Sequence, residues 1–145
     1  MRGLILAAAL AVFAAACTPP APDGVHDATE QERAPLDTAL SASLAVDLGQ
    51  PVSLRIDHAR IDGDWAWVIA QPFKPDGFSP IDWSTTRYAD ANTEGMLDGG
   101  GTTYALLQRS DGVWTVKDFV VGPTDAPWVT WAQQYGAPVS LWATQ

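Results

Sequence analysis

Residues 102–121 read TTYALLQRSDGVWTVKDFVV, and this stretch decides the fold. Two runs rich in β-branched and aromatic residues, Thr102–Arg109 and Val113–Val121, flank Ser110-Asp111-Gly112. Asp-Gly between such runs is a strong hairpin signal, because a tight two-residue turn asks for positive φ at its centre. The chain is therefore built on an antiparallel sheet.

The pattern extends outward on both sides. Val52, Leu54 and Ile56 alternate with Ser53, Arg55 and Asp57, as in a half-buried strand. Asp62-Gly63-Asp64 makes a turn, and Trp65–Gln71 returns with Trp65, Trp67 and Ile69 on one face. Upstream, Leu36, Leu40, Leu44 and Leu48 recur every four residues with Ala39 beside them, which predicts an amphipathic helix. Pro35 suits its first turn, and Gly49 with Pro51 ends it. Thr29 and Glu32 carry the spacing of a capping box, which would move that start upstream. Pro72–Pro80, with Pro75-Asp76-Gly77, is a loop; Trp83–Tyr88 is a short edge strand; Ala89–Gly101 is a polar, glycine-rich loop. Thr124 caps a last short helix carrying Trp128, Trp131, Ala132 and Tyr135, which stops at Gly136. The sum is an α+β domain over 34–145: an N-terminal helix packed on a curved antiparallel sheet of four to five strands, with a short C-terminal helix. This element order resembles cystatin-like and NTF2-like rolls.

Composition limits what the domain does. The whole chain of 145 residues is 47% hydrophobic, enough for one folding unit with a real core. Eight basic against 17 acidic side chains give a net charge of −9, which excludes a nucleic-acid partner held by clustered Lys and Arg. One cysteine excludes an intramolecular disulfide framework and a multi-thiolate zinc site.

That cysteine is Cys17, and it follows MRGLILAAALAVFAAA. Arg2 gives a positive start, and the apolar run Leu4–Ala16 is shorter than the about 20 residues a bilayer span takes. It fits the apolar segment of a secretory signal peptide over 1–16, with Ala14-Ala15-Ala16 as cleavage residues. The arrangement resembles the lipobox of bacterial lipoproteins, with Ala14 where that family commonly has Leu. The resemblance implies lipid attachment at Cys17, a membrane held through the lipid, and, from Thr18 in the next position, export to the outer membrane. Residues 17–33, rich in proline and polar side chains, read as the lipidated cysteine and a flexible tether that includes His26. The stretches WAWVIAQPFKPDG, YALLQRSDGVWTVKDF and GPTDAPWVTWAQQYGAP look like those of small bacterial envelope proteins without assigned chemistry.

The sequence carries few chemical motifs. No nucleophile elbow, metalloprotease, P-loop or dinucleotide fingerprint is present, so no catalytic residue, metal or cofactor is assigned. Asp90, Asn92 and Glu94 before Gly95 mimic half a calcium loop, but Gly101 stands where the bidentate Glu belongs. His58 shares a face with Val52, Leu54 and Ile56 near a strand end, while Asp57 faces the other way. Seven tryptophans are the unusual feature. Most read as core, but Trp83 lies between loops near Arg87 and Tyr88, where an exposed indole suits a carbohydrate, a peptide or an anion. Trp83, Arg87, Tyr88 and His58 are thus the candidate binding residues.

Three classes of function follow. The first is a lipid-anchored, non-catalytic envelope protein binding another envelope protein. The second is a small-ligand binder or enzyme using the concave face of the roll, through a solvent-open cavity containing His58 or acidic residues such as Asp57, Asp62 or Asp82. The third is an inhibitor of an exported hydrolase, presenting a rigid loop such as Pro72–Pro80.

Overall fold

The computed structural model describes residues 24–143; the signal segment and Cys17 lie outside the described residues. Five strands form one antiparallel sheet in sequence order: β1 (His26–Asp27), β2 (Ser53–Asp62), β3 (Trp65–Phe73), β4 (Thr103–Ser110) and β5 (Val113–Val121). The deciding hairpin closes on Asp111 and Gly112, with φ of 51° and 77°, between paired Ser110 and Val113. The α+β expectation holds, with helix α1 (Glu30–Leu48) on the sheet and a short C-terminal helix, α3 (Trp131–Tyr135).

The ordered part starts earlier than 34. His26 and Asp27 pair with Ile61 and Arg60, and α1 begins at Glu30. The reason is hydrogen bonding, not apolar periodicity. Thr29 caps the helix, its hydroxyl oxygen accepting from the Glu32 amide while the Glu32 carboxylate accepts from the Thr29 amide at 2.9 Å. Arg33 then donates to the Ala28 and Ile56 carbonyls, fixing the helix start to β2. Pro35 consequently sits in the second turn, where it leaves one helical bond unmade.

The sheet is covered on both sides. Toward α1, Leu36, Leu40, Leu44 and Leu48 are fully buried against Ala59, Ala66, Val68, Ala70, Ala105 and Leu107. Alanines on the sheet let the leucines approach closely, and each buried leucine contributes about 1.5–3 kcal/mol. On the other face Trp67 and Leu106 meet Trp131, Ala137 and Leu141 of the C-terminal segment. Tyr104 stacks on Trp128 with centroids 4.2 Å apart. That segment enters through a 3-10 turn at Pro127–Thr130 with no side-chain cap, so Thr124 does not cap it. Trp83–Thr85 is a 3-10 turn rather than an edge strand, and α2 (Ala89–Thr93) occupies the start of the expected polar loop. Asp82 drives the first change: its carboxylate accepts from the Ser84 amide and hydroxyl, which caps a turn and leaves no ladder to extend.

Candidate functional site

Three of the four candidate residues come together. Arg87 donates to the Tyr88 hydroxyl at 2.7 Å, and that hydroxyl donates to Asp47 at 2.8 Å near the end of α1. Arg87 also pairs with Asp47 at 2.9 Å, and its guanidinium lies 4.8 Å from the Tyr88 ring centroid. Burial, then the Asp47 carboxylate, pushes the Tyr88 phenol up to about 12. Trp83 packs edge-to-face on Tyr88 at 6.0 Å.

Trp83 itself is only 8% exposed, so the expected surface indole is a core residue. Its ring lies against Gly101, where an added Cβ would overlap it, and it belongs to the cluster beneath α1. The constellation therefore fastens the Trp83–Thr93 stretch to the helix. Arg87 alone stays largely open to solvent.

His58 lies elsewhere. Ile56 pairs with Ala70 and His58 with Ile69, so Asp57 is the extra residue of a β-bulge. The bulge reverses which side faces the helix. Ile56 packs toward α1, as do Ala59 and Ile61, whereas His58 and Arg60 turn to the opposite face. His58 thus does not share a face with Val52, Leu54 and Ile56. Its ring meets Trp67 edge-on at 5.9 Å, and Nε2 is 3.9 Å from Asp27. These residues line an open groove of about 400 Å³ with Arg60, Ile69 and Trp142. The acidic residues Asp57, Asp62 and Asp82 do not line this groove and have partners elsewhere: Asp57 takes Arg55 at 2.8 Å, Asp62 accepts from Ser140, and Asp82 caps its own turn.

A second groove, of about 340 Å³, lies between α1 and the start of β2, along Glu30, Arg33, Asp37, Leu54 and Arg55. Desolvation raises the Asp37 carboxyl there above its ordinary value. Asp90 and Asn92 lie within the single helical stretch Ala89–Thr93, and among the described residues no three His, Cys, Asp or Glu gather as a metal site. No helix among them is long and apolar enough to cross a membrane.

One feature carried a weaker sequence signal, the Pro75-Asp76-Gly77 turn. The Asp76 carboxylate accepts from the Phe78 amide at 3.0 Å and the Ser79 amide at 2.8 Å. The Lys74 amide donates to the Ser79 carbonyl at 2.8 Å, the Gly77 amide to Lys74 at 2.8 Å, and Phe73 bridges to Pro80. Hydrogen bonds from the Ser79 side chain and these two amides hold the Asp76 carboxyl below its ordinary range. Phe78, 76% exposed, sits on this braced loop.

Fold and site together define an α+β domain whose open meander is covered by a helix on one face and by an aromatic C-terminal segment on the other. No family model, curated protein or solved structure matches the chain.

Proposed function

We propose that the chain is an exported, lipid-anchored, non-catalytic envelope protein that binds another envelope protein through the loop Lys74–Ser79. The observation that carries the binding role is Phe78. A large apolar side chain exposed on a loop already fixed by four local hydrogen bonds is a low-entropy anchor for a partner's pocket. Export and anchoring rest on the apolar run Leu4–Ala16, the small residues after it and Cys17, in a chain whose resemblance is to lipobox proteins. An acidic domain is repelled by anionic lipid surfaces, so the lipid, not the surface, would hold it at the membrane. An inhibitor of an exported hydrolase would use the same loop, with the hydrolase as the partner.

The test is a photo-cross-linking amino acid placed at Phe78 or at exposed Val113 in growing cells, together with membrane fractionation of Cys17→Ser. One discrete adduct from position 78, none from 113, and release of Cys17→Ser from the membrane are expected. Equal capture at both positions would remove the loop from the reading. Unchanged membrane association of Cys17→Ser would remove the anchor.

A further inference from the structure

The groove beside His58 combines features that the loop of Phe78 does not use. Its walls are aromatic, from Trp67 and Trp142, and its rim is polar, from Asp27, His58 and Arg60. Asp27 is mostly exposed and sits 3.9 Å from His58 Nε2 and 4.0 Å from Arg60 Nε, too far for a tight pair with either. Arg60 is largely buried; it donates through Nη1 to the Leu141 and Ala143 carbonyls, which fixes the guanidinium plane in the groove. The indole nitrogen of Trp67 is the buried side-chain polar atom left without a partner among the described residues, in a side chain only 9% exposed. A buried donor that pairs with nothing is uncommon.

We infer that this groove binds a neutral saccharide ring. One guanidinium stands against one carboxylate, so the rim attracts neither anions nor cations strongly. It offers a fixed donor in Arg60 and an acceptor in Asp27, which suits hydroxyl groups that both give and accept hydrogen bonds. The aromatic walls suit the apolar C–H face of a pyranose. A volume of about 400 Å³ lies within the range of small-ligand sites, and the open shape leaves room for a chain to continue past one ring. The site does not depend on the proposed protein partner, since Phe78 lies past the opposite end of β3.

The probes are maltose and N,N′-diacetylchitobiose, titrated into the full-length, nitrogen-labelled protein in detergent micelles. Each of the seven tryptophans reports through its own indole N–H signal. Saturable shifts confined to Trp67 and Trp142 are expected with at least one sugar, and Asp27→Ala should weaken that binding by about tenfold or more. Asp27 is exposed, so its replacement leaves the fold intact, which the same spectrum verifies; Arg60→Met and Trp142→Ala then test the donor and the wall. Absence of a saturable shift with both sugars would overturn the inference. So would shifts that Asp27→Ala leaves unchanged, or a response of these two indoles to acetate and not to sugar.

Discussion

Trp83 and Gly101 depend on each other. Gly101 has φ of 96°, a conformation that side chains rarely adopt, and any Cβ there would overlap the Trp83 ring. Trp83→Ala empties the space under this strand entry and should cost about 3–5 kcal/mol in urea unfolding, with Gly101→Ala destabilising in the same direction. An exposed binding indole would give less than about 0.5 kcal/mol, so the measurement separates the two roles of Trp83. In sequence, Pro80-Ile81-Asp82 place Trp83 between loops, yet Pro80 bridges to Phe73 and Ile81 is buried; nothing local announces that a distant glycine leaves room for the ring. Tyr88 makes a prediction of its own. Its phenol rises from 10.0 to about 12 in the folded state, so folding holds a proton that the unfolded chain has released. Stability is fully present below pH 10 and falls as the pH rises from 10 toward 12. Tyr88→Phe should remove that alkaline slope and cost about 0.5–1.5 kcal/mol at neutral pH, as read from unfolding curves at a series of pH values.

At the level of elements, hydrophobic period located what packs, and hydrogen bonds located where it begins. The leucine stripe of α1, the alternation of Val52, Leu54 and Ile56 entering β2, and the shared face of Trp65, Trp67 and Ile69 in β3 are legible because burial forces a 3.6- or 2-residue repeat. The β1 pairing and the first turn of α1 were masked by a polar, proline-containing stretch, although Thr29 and Glu32 carried the capping spacing. Two bulges left no trace at all. Asp57 in β2 and Lys117 in β5 each add one residue and exchange the faces of everything after them; the first of these is why His58 and Arg60 reach the groove beside Trp67 and Trp142. The capping box is testable on its own. The Thr29 backbone amide, followed by the Thr29 hydroxyl and His26, holds the Glu32 carboxyl below its ordinary 4.5. A lowered folded value means stability present above pH 4.5 and lost as the pH falls through the folded value. Thr29→Ala should therefore cost about 0.5–2 kcal/mol at pH 7, and the difference between wild type and Glu32→Gln should shrink in acid. A difference that stays constant from pH 7 to pH 3 would assign the effect to packing instead.

At the scale of the molecule, the decisive property is that the sheet has two apolar faces and, among the described residues, only one long helix to cover them. The aromatic face of β3 and β4 is closed by residues 127–143, which contain no long element. They hold their place through what they meet on the sheet. Trp131 and Leu141 are 2% and 0% exposed, Tyr135 donates to Asp118 at 2.8 Å, Ser140 donates to Asp62, and Arg60 takes two carbonyls near the end. An unpaired apolar sheet face this large would draw other chains, because main-chain edges and exposed aromatics favour association. A chain ended after Gly122 should therefore keep strand and helix signals in far-ultraviolet dichroism, bind a hydrophobic dye, and lose its sharp urea transition. Leu141→Ala is the graded version: it leaves the segment in place, creates a cavity against β2 and β3, and should cost about 2–5 kcal/mol with an unchanged denaturant slope. If the shortened chain instead unfolds as sharply as the intact one and binds no dye, then α1 and the sheet suffice as a folding unit. The aromatic segment would then be a separate layer added for the groove it helps to form rather than for the stability of the sheet.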